Sequence, residues 1–268
     1  MTRLRKYGSP PFNVAVLHGG PGAAGGMEPV ARELSKCLGV LEPIQNGKSV
    51  DAQVEELKQT IEENADGPVV LIGHSWGAWL GFIFAARYGA LVKKLVLISA
   101  GPFEEQYVRL ISENRLKRLC PEEQTEYKKR IEMLKDPGLP EKDKHLSRLG
   151  ALAGKADCFE VGADVLPSTP ADTLTSNSGE IYAAVWPEAA RLRKSGELLR
   201  LGASIMCPVL AIQGDCDSHP AEGVREPLTK VIKDFRMTVL EKCGHSPWLE
   251  RHAAREFYGI VEEQIRFA

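Results

Sequence analysis

The sequence predicts an α/β chain with a mostly parallel sheet and helices on both faces, and three observations predict it. Short runs of Val, Leu and Ile recur along the chain, each ending in glycine or polar residues. These runs are continuously apolar rather than alternating, which suits strands covered on both faces. Longer segments between them carry helical periodicity. Strand–helix alternation of this kind implies an open sheet with its connecting helices packed on either side.

In chain order, the strand-like runs are Asn13–Leu17, a weaker one at Val40–Leu41, Val69–Ile72, Leu95–Ile98, Val209–Gln213 and Met237–Leu240. Between the second and third, Val50, Val54, Leu57 and Ile61 form the apolar stripe of an amphipathic helix. Trp76 to Tyr88 is apolar almost all round, as a helix buried against a sheet would be. After Pro247, residues Ala253, Phe257, Ile260 and Val261 mark a last amphipathic helix. The stretch 102–200 breaks the rhythm. It is rich in charge and helix formers, lacks a clear strand, and contains the turn-rich segment VLPSTPADTLTSNSGE. The expectation is a core made of residues 1–101 and 201–268, with 102–200 inserted as a helical lid over the strand ends.

Bulk properties narrow the function classes. A chain of 268 residues can bury about three quarters of its unfolded surface, so no disulfide or metal is needed to hold it folded. Net charge is -2 with Lys and Arg dispersed, so neither nucleic acid nor an acidic membrane surface is expected as a partner. No apolar run approaches the ~20 residues of a membrane-spanning helix, and Phe12–Leu17 is too short for a signal-peptide core. The six cysteines contain no Cys-x-x-Cys pair and suit free thiols in a reducing compartment. A cytoplasmic protein without a metal or other cofactor is expected.

The chemistry-bearing residues cluster at strand ends. Gly73-His74-Ser75-Trp76-Gly77 fits G-x-S-x-G, with the strand Val69–Ile72 before it and the apolar helix after it. A serine on so sharp a strand-to-helix turn needs glycine neighbours, because side chains there would collide across the turn. The turn lifts the hydroxyl above the strand ends, and the helix N-terminus behind it favours developing negative charge. Such a serine needs a base. His245, in the loop between the last strand and last helix, opens on the same sheet edge. His74 is expected to brace the turn, and His145 and His252 to be solvated. The base needs an acceptor for its other nitrogen. Asp215 and Asp217 both follow the strand Val209–Gln213, and either completes the chain order Ser, Asp, His. Asp215 directly follows Gly214 and suits bracing the turn, while Asp217 reaches further towards the His245 loop. A metal site from Asp215, Cys216, Asp217 and His219 is disfavoured, because consecutive loop residues rarely converge on one ion.

The loop His18-Gly19-Gly20-Pro21-Gly22 follows the first strand-like run. The backbone N–H of Gly20, paired with that of Trp76, is the expected oxyanion hole. Gly47-Lys48-Ser49 resembles the end of a phosphate-binding loop, but Glu42 stands where that loop needs glycine.

With HGGPG at 18–22, GHSWGA at 73–78, GDCD at 214–217 and CGHSPW at 243–248, the chain resembles the α/β-hydrolases over nearly its whole length. Within them it is similar to the proline iminopeptidase-like and related carboxylester hydrolases. The resemblance implies an acid three residues after Gly214, which is Asp217. It implies a serine hydrolase acting on a small ester or amide held between sheet and lid, with acyl-Ser75 as intermediate and His245 as base. Only about a dozen residues precede the strand leading to HGGPG, so the first strands of the fold are expected to be trimmed. Tyr107, Tyr182 and Trp186 are candidate pocket residues. The iminopeptidases use acidic lid residues to hold a free amine, for which Glu104, Glu105, Glu160 and Glu180 are candidates. The narrower aminopeptidase is therefore the alternative, and a non-hydrolytic small-molecule receptor or a lyase is the alternative of another class.

Overall fold

A computed structural model describes residues 4–136, 138–162 and 178–268. Its sheet has seven strands: β1 (Leu4–Tyr7), β2 (Phe12–Leu17), β3 (Gly39–Pro43), β4 (Val69–His74), β5 (Val92–Ile98), β6 (Val209–Gly214) and β7 (Phe235–Leu240). Their spatial order is β1-β3-β2-β4-β5-β6-β7. Every pair is parallel except β1 with β3. One short strand, β1, stands ahead of β2, where none was expected. β1 reads Leu-Arg-Lys-Tyr and lies half exposed on the edge, so it carries none of the apolar continuity by which β2 and β4–β6 announce themselves.

The side-chain alternation of these strands divides the core into two layers. Val14, Val16, Val70, Ile72, Val96, Ile98, Leu210 and Ile212 face one side, where Met27, Val30, Leu34, Phe257 and Val261 cover them. These covering residues belong to or flank α1 (Glu28–Leu34) and α9 (Ala254–Arg266). Ala15, Leu17, Leu71, Leu95, Leu97 and Ala211 face the other, packed on α2 (Val50–Asn64), α3 (Trp76–Arg87) and α8 (Glu222–Val231). The whole stripe Val50, Val54, Leu57, Ile61 is buried. Ser49 caps α2 by accepting from the Ala52 N–H at 3.0 Å, an N-cap role for the serine of the apparent phosphate-loop remnant.

Between β5 and β6 lie α4 (Val108–Lys117), α5 (Pro121–Met133), α6 (Lys142–Asp157) and α7 (Ser178–Lys194), then a single turn at Glu197–Arg200. The segment VLPSTPADTLTSNSGE lies outside the described residues except for its last three. Leu119, Tyr127, Leu152 and Ala156 form a small separate core among α4–α6, whereas Ile181, Val185 and Ala189 of α7 join the main one. The segment touches the loops after the strands. Asn114 Nδ2 donates to Ser218 O at 3.2 Å, Ser178 Oγ to Gly22 O at 2.5 Å, and Arg118 to Cys216 O. No helix among the described residues is long and apolar enough to cross a membrane.

Candidate active site

Ser75 sits between β4 and α3 with φ 53° and ψ -114°, a conformation that costs about 1–3 kcal/mol and persists only where the surroundings impose it. Here backbone crowding imposes it. A Cβ at Gly73 would lie 2.1 Å from Gly77 O, and one at Gly77 would lie 2.5 Å from Leu17 O. Both glycines of the motif are therefore demanded by contact. The Ser75 N–H donates to Ile98 O at 2.9 Å, which ties the turn to β5. Its side chain is only partly buried.

Two loops converge on this turn. The loop after β2 comes so close that a Cβ on Gly19 would lie 3.4 Å from the Ser75 Cβ and 3.1 Å from His74 Nδ1. His18 fixes its start, donating from Nδ1 to Gly19 O at 2.8 Å and accepting from the Gln45 N–H at 3.4 Å. Burial pushes the His18 ring down to about 4. Gly20 stands next in that loop with φ 116°, a left-handed conformation suited to glycine. Trp76, the first residue of α3, is held by its indole N–H donating to Gln53 Oε1 at 2.9 Å. From the other side comes the loop after β7: His74 Nε2 donates to His245 O at 2.9 Å, and the two rings lie 4.8 Å apart. Burial, first, and the His245 ring then push His74 down to about 3, so it braces the turn as a neutral ring.

The His245 ring faces Asp217. Its Nδ1 lies 2.9 Å from Oδ2 and 3.0 Å from Oδ1 of that carboxylate. Asp215 is exposed and instead accepts from the Cys243 N–H at 3.1 Å, bracing the neighbouring turn. Asp217 is fully ringed by donors: Gln213 Nε2 at 3.0 Å on Oδ2, and the His219 N–H at 2.9 Å and His219 Nδ1 at 3.0 Å on Oδ1. Burial alone would raise its pKa, but the His245 and His219 imidazoles hold it well below the usual carboxylate range. Burial likewise works against a charged His245, yet the Asp217 carboxylate outweighs it and moves His245 upward. Among the described residues no hydrogen bond joins the Ser75 hydroxyl to His245. Such bonds often tighten only when substrate is bound.

The His245 loop is clamped from beneath by residues that carry no motif. The Glu250 carboxylate, buried, accepts from the N–H groups of Gly244 at 3.0 Å, Phe159 at 2.9 Å and Glu160 at 2.8 Å. The His245 N–H donates to Asp157 O at 2.7 Å. Arg115 grips the Asp157 carboxylate through Nε at 2.9 Å and Nη2 at 2.6 Å. Sequence reasoning missed Glu250, Gln213, Asp157 and the place of His219. Only His219 and Gln213 carried a local signal, standing two after and four before the acid.

Asp217, His219 and His245 offer ligand atoms within 4.8 Å of one another. The two rings stack at 4.3 Å and 22° with both Nδ1 atoms turned to one carboxylate. Both Nδ1 atoms lie 3.0 Å from Oδ1 of Asp217, so the carboxylate occupies the point they share and each ring donates a hydrogen bond to it.

Of the candidate pocket aromatics, Tyr182 and Trp186 stack on each other at 5.9 Å, and Trp186 stacks on Trp79 of α3 at 6.1 Å. Tyr107 stands apart from them, its hydroxyl donating to Glu226 of α8 at 2.5 Å. Three of the four acidic candidates are paired with cations of the chain: Glu105 with Arg193 at 2.9 Å, Glu160 with Arg251 at 2.7 Å, and Glu180 with Lys48 at 2.8 Å. Glu104 accepts from the Gln106 amide at 2.8 Å.

A family profile described as "Alpha/beta hydrolase family" matches residues 16–257. Among curated proteins no sequence match was found. Among solved structures, VinJ is similar at 21% identity and a TM-score of 0.74, over 98% of this chain and 94% of that one. The proline iminopeptidase of Mycobacterium smegmatis is similar at 18% identity and a TM-score of 0.68, over 98% and 93%. A thermophilic esterase from Thermogutta terrifontis is similar at 19% identity and a TM-score of 0.61, over 98% and 92%. At such identities these likenesses speak for the fold alone. The profile match spans most of the chain, and the chain belongs to the alpha/beta hydrolase family.

Proposed function

We propose that this alpha/beta hydrolase is a serine hydrolase that cleaves a small ester or amide through a covalent acyl-Ser75 intermediate. One observation carries the reading: a buried carboxylate, Asp217, grips Nδ1 of His245 on the sheet edge where Ser75 is held in a strained turn. In this mechanism Nε2 of His245 takes the Ser75 hydroxyl proton as Oγ attacks the substrate carbonyl. The N–H groups of Gly20 and Trp76 receive the oxyanion. The tetrahedral intermediate collapses, His245 passes its proton to the departing alcohol or amine, and the acyl group stays on Oγ. A water deprotonated by His245 then attacks the acyl carbonyl, and Ser75 recovers the proton as the acid leaves.

The raised pKa of His245 fixes the sign of the pH dependence. The base works only when neutral, so kcat/KM rises with pH through a midpoint above histidine's ordinary 6.5. A midpoint below that value on the best ester would show that the acid limb belongs to another group.

Residues 102–200 act in this reading as a lid, supported by their contacts with the loops after β2, β6 and β7. The Tyr182–Trp186–Trp79 stack then reaches from lid to α3 as an apolar wall. Trp186→Ala should change the ranking of acyl chain lengths by about tenfold or more in kcat/KM, the value of one or two methylenes in an apolar pocket. Loss of thermal stability with an unchanged ranking would make Trp186 a packing residue only.

The pairing of Glu105, Glu160 and Glu180 within the chain favours a neutral acyl group over a substrate's free amine. The experiment is a panel of p-nitrophenyl acyl esters set against aminoacyl naphthylamides. Esters should be preferred by about 100-fold or more in kcat/KM. Preference for prolyl naphthylamide would establish the iminopeptidase alternative instead.

A further inference from the structure

His219 has no part in the mechanism above, yet it makes as much contact with Asp217 as His245 does. Its backbone N–H and its Nδ1 both reach Oδ1, at 2.9 and 3.0 Å. Its ring lies 4.3 Å from that of His245 at an interplanar angle of 22°. The ring is buried, and Ser218 before it is tied to α4 by the Asn114 amide. Pro220 follows, so the segment holding the ring is stiff.

We propose that His219 is a positioning residue for the acid: it stays neutral, donates its Nδ1–H to Asp217, and so holds the carboxylate in place while sharing its charge between two imidazoles. The inference rests on the reading of Asp217 and His245 as acid and base. A carboxylate with one fewer donor has a less dispersed charge, and its pull on a protonated His245 is stronger. Two stacked rings on one carboxylate also cannot both be cations without repulsion. The proton that His245 takes from Ser75 therefore has one stable place, on His245, provided that His219 remains neutral. Among the described residues, the charged and titratable groups facing this pair are Asp217 itself, His74 at 4.8 Å from the His245 ring, and the Asp157–Arg115 ion pair. Burial and the neighbouring His245 ring both work against a charged His219, in line with its role as the neutral partner.

The test needs no knowledge of the substrate. The rate of inactivation by an alkyl fluorophosphonate is measured against pH for the wild-type enzyme, H219F and H219N. Phenylalanine keeps the stacked ring without the donor. Asparagine restores an N–H near the place of Nδ1. The acid-limb midpoint of H219F should rise by about half to one pH unit, and that of H219N should fall back towards the wild-type value. Equal midpoints in wild type and H219F, or an H219N midpoint that stays with H219F, would overturn the proposal. If H219F does not fold, ring ¹⁵N spectra of the wild-type histidines decide. His219 should keep a protonated Nδ1 and remain neutral over the range in which His245 gains its proton; a His219 that charges first would overturn the idea. Failure of the underlying reading looks different, since the wild-type enzyme would then not be labelled at Ser75 at all.

Discussion

Asp217→Asn should lower turnover by about three to four orders of magnitude, whereas Asp215→Asn should cost less than about tenfold. The two aspartates are two residues apart, and the difference lies in what each accepts. Oδ2 of Asp217 receives Gln213 Nε2 and His245 Nδ1, while Oδ1 receives the His219 N–H and Nδ1. Whichever way an asparagine amide sits, its NH2 meets two donors where acceptance is needed. Where that NH2 faces His245, the His245 Nδ1–H loses its acceptor, the other ring tautomer is favoured, and the base is misdirected. Asp215 is exposed and accepts one backbone N–H, from Cys243. An asparagine carbonyl can take over that bond. Because Asp217 is buried, a mismatch there also costs stability, about 1–3 kcal/mol per unsatisfied group. The comparison is therefore made on variants whose circular dichroism and melting curves establish that both are folded. The reverse ranking in two folded proteins would mean that the acid is Asp215.

Ser75→Ala should abolish at least about a thousandfold of the turnover, because nucleophile and base act as a unit and neither works alone. The fold should survive it. The Ser75 side chain is partly exposed and does not cap α3, whose N-cap hydrogen bond is absent. Alanine at φ 53° is strained much as serine is, since both carry a Cβ. Melting temperature should move by no more than about 4 °C, the shift expected for less than about 1 kcal/mol in a domain of this size. A variant that keeps more than a tenth of wild-type activity would exclude Ser75 as the nucleophile.

What the sequence disclosed, and what it withheld, follows from the range over which each signal acts. β2 and β4–β6 are covered on both faces over most of their length, so the residues there are a continuous apolar run, and the run itself is the signal. β1 is an edge strand paired on one side with β3, and Leu-Arg-Lys-Tyr satisfies that place without any pattern. α1 has only seven residues, too short to display a period. The Ser75 turn was legible because Gly73 and Gly77 are demanded by contacts within five residues and with β2. Glu250 was not, because the N–H groups it binds at Gly244, Phe159 and Glu160 are ordinary backbone. Backbone N–H groups leave no mark in the sequence, and only the fold brings these three together. The stacking of His219 on His245 is of the same kind: a contact between two loops that the order of residues along the chain does not record.

In the proposed mechanism an acyl group resides on Ser75 during turnover. Intact-protein mass spectrometry after reaction with a fluorophosphonate tests the reactivity of that hydroxyl directly, followed by digestion to locate the adduct. One equivalent of label should be found, on the peptide containing Gly73-His74-Ser75-Trp76-Gly77, with none on Ser75→Ala and strongly slowed labelling of His245→Ala. Stoichiometric label on any other residue, or full labelling of folded Ser75→Ala, would mean that Ser75 is not the nucleophile.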